Sequence, residues 1–118
     1  MKLPVKNKVG GNCDFMIEEA FGGTNITLIY APRNKMIELT KYREWIESFG
    51  ERRDLERFTV ELWQQLEEQL KPMFLQLSIS RGGLTINKPP LFAPPYDPAC
   101  FQVKNENNRK SNESEVER

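Results

Sequence analysis

Histidine is absent from this chain of 118 residues, and its absence excludes more chemistry than any other count. Without histidine there can be no Ser-His-Asp triad, no Cys-His pair and no histidine-ligated metal site. Cysteine is also rare, because Cys13 and Cys100 are the only two and lie far apart in the sequence. Two cysteines do not make a disulfide framework, and a reducing cytoplasm is the expected location.

The sequence also lacks an excess of charge and any long apolar run. Its 17 basic and 17 acidic residues give a formal net charge of zero, so direct binding of nucleic acid or a membrane surface is not expected. A local basic patch stays open. No apolar run approaches the roughly 20 residues of a membrane helix. A domain of about 100 residues buries little more than about 60% of its chain surface, so association between copies is expected.

The length predicts one domain, and composition divides the chain into three parts. Residues 1–12 are polar, contain Gly10 and Gly11, and are predicted to be a flexible lead-in. Residues 13–103 form the predicted domain. Residues 104–118 contain one apolar side chain and are predicted to be a disordered polar tail.

Hydrophobic periodicity predicts the elements of the domain. Gly50 is the expected C-cap of the first helix, and Asp54 the expected N-cap of the second. Five prolines make residues 88–98 an extended surface segment. The predicted elements are strands at 15–21 and 25–31, helices at 38–49 and 54–70, and strands at 74–80 and 84–86. This ββααββ order indicates an α+β fold, an antiparallel sheet with two helices on one face.

Three sequence segments resemble the 7-cyano-7-deazaguanine reductases of the tunnelling-fold superfamily. The run MIELTKYREWIESF at residues 36–49 is similar to the family's first-helix signature. The run IYAP at residues 29–32 is similar to its strand ending in Tyr-x-Pro, and RGGLTIN at 81–87 to its Arg-Gly-Gly turn. The clear resemblance covers residues 26–72, and the tunnelling fold has the same ββααββ order.

The resemblance implies a reaction and an assembly. In that family a cysteine thiolate adds to the substrate nitrile to form a thioimide, and a nearby acid handles protons. NADPH then delivers two hydrides, giving the aminomethyl product for queuosine biosynthesis, a tRNA modification. The active sites lie between the subunits of a ring, so a homo-oligomer is implied.

The implied catalytic residues are Cys13 and Glu19. Cys13 is the only cysteine before the Tyr-x-Pro strand, although Asp14 follows it where the family has proline. The acid expected several residues later matches Glu18 or Glu19, and we take Glu19. Cys13 can also be an ordinary thiol at the start of the first strand, because a reactive thiol needs a lowered pKa.

The implied binding residues lie further along the chain. Glu56, at the start of the second helix, and Glu38, which opens the first, match substrate-binding positions, but both can equally be first-turn carboxylates favoured by the helix dipole. The implied cofactor-binding residues are Lys41, Arg81, Gly82 and Gly83. Thr40 replaces the family's lysine beside Lys41, and the turn at Arg81 can equally be a plain hairpin turn.

Two other functions fit the same fold. One is an amidine-forming transferase of the archaeosine type, which uses ammonia in place of hydride on the same thioimide. The other is a non-catalytic tunnelling-fold subunit or purine-binding module, favoured by the replaced lysine and by Glu56-Arg57 standing where the family has His-Glu.

Overall fold

A computed structural model describes residues 2–105 as an α+β domain with two α-helices and a mostly antiparallel sheet. The helices of these described residues are α1 (Leu39–Gly50) and α2 (Leu55–Leu70), and a short 3-10 helix spans Pro98–Cys100. The strands are β1 (Val5–Asn7), β2 (Asp14–Phe21), β3 (Thr24–Ala31), β4 (Lys35–Ile37), β5 (Phe74–Arg81), β6 (Leu84–Phe92) and β7 (Val103–Asn105).

The main sheet has the strand order β6-β5-β3-β2-β7. Strands β6, β5, β3 and β2 pair antiparallel in that order, and β7 joins the free edge of β2 in parallel. Both helices pack on one face, because alternate residues of β2, β3 and β5 share a single core with the apolar stripes of the helices. The predicted hairpin, helix pair and hairpin are therefore present in the predicted order.

The predicted lead-in is instead part of the packed structure. β1 pairs antiparallel with β4 to form a separate two-stranded ribbon. Leu3 is only 2% exposed, and its N–H donates to Gln65 Oε1 at 3.0 Å. Buried apolar side chains in this short segment pack it against α2. The polar composition of the segment gives no indication of this packing.

Parts of the predicted tail and of the proline-rich segment form strands. Lys104 and Asn105 belong to β7, while residues 106–118 of the predicted tail lie outside the described residues. Residues 88–92 extend β6, so Pro89 and Pro90 lie within a strand. β6 is an edge strand of the sheet, where a residue without an N–H can be accommodated.

The two helix caps follow different rules. Asp54 is the N-cap of α2 as predicted, and its Oδ1 accepts from Arg57 N at 2.8 Å. Gly50 is not a left-handed C-cap but the last residue of α1, and Glu51 takes the cap position in a right-handed conformation. A Cβ atom on Gly50 would lie 2.6 Å from Phe58 Cε2. Glycine is therefore required there by the close approach of α2.

Candidate functional site

Cys13 lies just before β2 and is closed inside the domain. It is 6% exposed and belongs to the core shared by the sheet and the helices. Its thiol lies 3.9 Å from the carbonyl oxygen of Gly11, a contact that a protonated thiol can make as donor. The sulfur is therefore not presented to a ligand of this subunit.

Glu19 lies on the helix-facing side of β2. Its Oε1 is 3.6 Å from Arg43 Nε on α1, and its side chain is 12% exposed. Burial raises the pKa of the carboxyl, and the charge of Arg43 opposes that rise. Six residues of extended chain separate Glu19 from Cys13, which corresponds to about 20 Å. The single chain therefore does not bring the two implied catalytic residues together.

Asp14 is the acid next to Cys13 in the chain, and sequence reasoning did not select it, but its side chain lies on the opposite face of the sheet, against Tyr96. It is 6% exposed, and the Tyr96 hydroxyl donates to its Oδ2 at 2.8 Å. Its Oδ1 is buried without a hydrogen-bond partner in the described residues. Burial raises the pKa of Asp14, and the bond from Tyr96 opposes that rise. No local pattern links residues 14 and 96, because only the folded chain places them together.

Glu38 is occupied as the N-cap of α1. Its Oε1 accepts from Thr40 Oγ1 at 2.8 Å and from Thr40 N at 3.2 Å. These hydrogen bonds are the main cause of its lowered pKa. Lys41 follows on the exposed side of the same turn. The structure thus gives Glu38 the capping role that competed with substrate binding.

Arg81 joins the second hairpin to the loop between the helices. Its Nε donates to Thr24 Oγ1 at 2.7 Å, its Nη1 to Arg53 O at 2.6 Å and its Nη2 to Gly50 O at 3.4 Å. The guanidinium carbon also lies 5.6 Å from the centre of the Phe58 ring. The side chain therefore holds protein groups together instead of pointing into a ligand site.

Gly82 and Gly83 complete a two-residue hairpin turn. Their φ angles are 58° and 85°, which only glycine adopts without strain. Two successive positive φ values are typical of the type I′ turn that matches the twist of a hairpin. The turn explains both glycines without a bound phosphate.

The implied cofactor residues do not gather into one site. Lys41 is at the first turn of α1, whereas Gly50 at the end of that helix contacts Arg81. Nine residues of helix separate Lys41 from Gly50, or about 14 Å. The implied NADPH residues therefore do not fit a single phosphate-binding site in this subunit.

A groove beside Arg81 has the wrong charge for a dinucleotide. It encloses about 690 Å³ between α1 and the turn that joins β2 to β3. Glu44, Glu47 and Glu51 line it, and Arg81 is the only cation among the residues of 2–105 that do so. Because Arg81 is engaged with protein groups, the groove presents mainly carboxylates, which repel phosphates.

Glu56 is exposed in the first turn of α2. No described residue is hydrogen-bonded or ion-paired to its carboxylate. It lies at the same end of the sheet as Arg81, because the Arg53 carbonyl just before α2 accepts from that side chain. Cys13 is at the opposite end, where β2 begins. Of the implied substrate-binding residues, Glu56 alone presents a carboxylate not engaged within the described part of the chain.

The hydroxyl of Tyr42 provides a test of how polar groups are arranged beneath α1. It is buried without a hydrogen-bond partner in the described residues. Burial and then the charge of Glu19 raise its pKa. By contrast, the Tyr30 hydroxyl accepts from the buried N–H of Ile37 at 2.9 Å.

We therefore expect opposite outcomes for two matched substitutions. Tyr42→Phe should leave the free energy of unfolding unchanged or raise it slightly, because it removes a buried hydroxyl without a partner. Tyr30→Phe should lower it by about 1–3 kcal/mol, because it leaves the Ile37 N–H unsatisfied. Urea unfolding of both variants measures the difference. An equal loss in both would show that Tyr42 has a hydrogen-bond partner in solution.

Two kinds of feature are absent from residues 2–105. Within residues 2–105, no group of three or more cysteine, aspartate or glutamate side chains could hold a metal ion. Neither described α-helix combines the length and the apolar surface that crossing a bilayer requires.

The chain is a small α+β protein. Cys13 lies at one end of its sheet, and Glu56 and Arg81 lie at the other end. No family model matches the chain, and no curated protein matches it significantly.

Proposed function

We propose that this chain is a tunnelling-fold subunit that binds a 7-deazaguanine-type purine between copies of itself without reducing a nitrile. The observation that carries the proposal is the closed position of Cys13, about 20 Å from Glu19, in an α+β chain with two helices on one face of its sheet. A buried thiol whose S–H group contacts a carbonyl oxygen is not positioned to attack a nitrile.

The arrangement of elements supports the tunnelling topology. The hairpin of β2 and β3, the helix pair and the hairpin of β5 and β6 follow one another in the chain. The four strands lie side by side in the order β6-β5-β3-β2, and both helices cover one face. This is the arrangement that the sequence resemblance implies.

Glu56 is the proposed anchor of the purine. A guanine-type edge presents two adjacent N–H groups, and one carboxylate can accept from both. Such a pair is strong only where water is excluded, yet Glu56 is exposed in the single subunit. A second copy must therefore supply the other wall, which supports a homo-oligomer, and a ring is the form that the resemblance implies.

Nitrile reduction with NADPH is the second candidate, and Asp14 favours it. The pKa of this carboxyl, next to Cys13 in the chain, is raised by burial. The thioimide step needs an acid close to the thiol, and the Asp14 side chain would meet Cys13 only if assembly rearranged the start of β2. The amidine-forming transferase would share the same covalent adduct.

Incubation of the purified protein with 7-cyano-7-deazaguanine tests the proposal. We expect calorimetry to detect binding, intact mass to show no adduct, and absorbance to show no oxidation of added NADPH. Glu56→Gln should weaken binding about tenfold or more, because hydrogen bonds to a charged group contribute about 1.5–3 kcal/mol. Glu68→Gln, which removes another exposed carboxylate of α2, should bind as the unaltered chain does.

The alternative outcomes are distinct. An adduct that disappears in Cys13→Ala would show that the chain forms a thioimide and does more than bind the purine. NADPH oxidation would identify the reductase. A folded protein that binds no deazaguanine at any concentration would reject the purine site.

A further inference from the structure

The net charge of zero conceals an uneven distribution of charge over the surface. Six cations lie around the end of the molecule where the ribbon of β1 and β4 meets the start of α1. We call them the ribbon cations, and they are Lys6, Lys8, Arg33, Lys35, Lys41 and Lys71. Four of the six are exposed, and Lys8 and Arg33 are half-buried.

The ribbon itself brings the first of these together. In its register Lys6 lies opposite Met36 and Asn7 opposite Lys35. Lys35 Nζ donates to Asn7 Oδ1 at 2.8 Å. Lys8 N donates to the Asn34 carbonyl at 2.9 Å, which extends the pairing by one step. Lys6 and Lys8 therefore project from one face of this narrow ribbon and Lys35 from the other, because paired residues share a face and neighbours in a strand alternate.

The remaining ribbon cations border this ribbon on two sides. Lys6 and Lys41 are both close enough to Glu38 to help lower its pKa, after the larger effect of the bonds from Thr40. Arg33 Nε donates to the carbonyl oxygen of Lys71 at 3.1 Å. Lys8, Arg33 and Asn12 line one cavity of about 290 Å³. The six cations thus lie around the same end of the molecule.

The charge of the ribbon cations is not neutralised by salt bridges within the described residues. The salt bridges there involve Arg43, Arg53 and Arg57, and none of the ribbon cations. Carboxylates do lie nearby, and Glu44 is one helical turn from Lys41 on α1. Glu38 caps α1, and Asp97 accepts from Ala99 N at 3.0 Å at the start of the 3-10 helix. A set of cations without salt bridges at one end of a chain of zero net charge favours a polyanionic partner there.

We propose that the ribbon cations bind the phosphate backbone of RNA. Five of the six are lysines, which act as point charges on phosphates and do not make the bidentate contacts that read bases. The exposed amides of Asn7, Asn12 and Asn34 lie among them. An amide both donates and accepts, which matches the 2′-hydroxyl that distinguishes RNA from DNA. The surface is separate from Glu56 and does not depend on the purine site.

The binding should depend steeply on salt and weakly on sequence. Four phosphate contacts would make the affinity fall on the order of 100-fold between about 50 and about 200 mM salt. Removing three cations should lower the slope of log affinity against log salt by about three. A change in RNA sequence at constant length and fold should have little effect.

Fluorescence anisotropy with a labelled RNA hairpin tests this proposal on the full chain. We expect Lys6→Gln, Lys8→Gln and Lys35→Gln, combined, to weaken binding about tenfold or more and to lower the salt slope. The matched control combines Arg52→Gln, Arg57→Gln and Lys88→Gln, which removes the same charge elsewhere on the surface. The control should bind as the unaltered chain does, and thermal unfolding verifies that both variants are folded.

Several results would overturn the proposal. Equal losses in the two triple variants would mean that general charge drives binding. Equal affinity for a DNA hairpin of the same length, or for vesicles of anionic lipid, would reject RNA as the partner. No binding at about 50 mM salt would reject the surface altogether.

Discussion

Replacing Gly50 with alanine is expected to lower the free energy of unfolding by about 2–3 kcal/mol, which is the usual size of an overpacking defect in a tight core. The new Cβ atom would lie 2.6 Å from Phe58 Cε2 and 2.7 Å from Cζ. Phe58 is fully buried, so its ring has no free space to move into. Alanine also favours a helix by about 1 kcal/mol over glycine, and the clash must exceed that gain.

Thermal unfolding should show the loss as a fall in Tm on the order of 10 °C or more. Gly11→Ala is the matched control, because nothing lies within 4 Å of a Cβ atom there and it should be close to neutral. Phe58→Leu should make room and partly rescue Gly50→Ala in a double-mutant cycle. If Gly50→Ala were stabilising instead, α1 and α2 would be further apart than the structure has them.

Arg81→Met is expected to destabilise the domain by about 2–3 kcal/mol, because this one side chain connects three separate segments of the chain. Its guanidinium donates to carbonyls at the end of α1 and just before α2, and to Thr24 on β3. Removing it leaves acceptors without their donors in a partly buried place, which is the costly form of a lost hydrogen bond. Arg81→Lys should recover little, because an ammonium cannot reproduce the planar fork.

Urea unfolding of both variants measures the effect, and Arg52→Met controls for the loss of a cation from the neighbouring loop. The result also decides what the Arg-Gly-Gly turn does. If Arg81→Lys and Arg81→Met kept full stability but lost affinity for NADPH, the turn would be a phosphate site and the cofactor assignment would stand.

Much of the fold could be predicted because its signals are local. The alternation of residues 25–31 and the stripe of Leu39, Tyr42, Trp45, Ile46 and Phe49 each fix which face of an element is buried. Asp54 predicted the start of α2 because its side chain caps the N–H of a residue only three positions later. The first strand, by contrast, escaped prediction because Leu3 and Val5 are too few for a pattern, and distant residues of α2 and β4 decide their burial.

The candidate site was harder to predict because function depends on which side chains meet. The sequence resemblance paired Cys13 with Glu19, yet an uninterrupted strand between them holds them apart. The resemblance assigned Arg81 to cofactor binding, whereas its guanidinium donates to the carbonyls of Arg53 and Gly50, which are 28 and 31 residues earlier in the chain. The grouping of the ribbon cations could not be predicted for the same reason, because the net charge of the chain does not say where its charges lie in the fold.

The parallel pairing of β7 with β2 has a consequence for how the chain folds. Asp14 pairs with Val103, so this contact closes almost the whole described chain, whereas each hairpin closes only a short loop. Closing a long loop has a larger entropic cost, and nothing rewards it until β2 is already held by β3. β7 should therefore add last during folding, and its amide protons should exchange with solvent before those of the central strands.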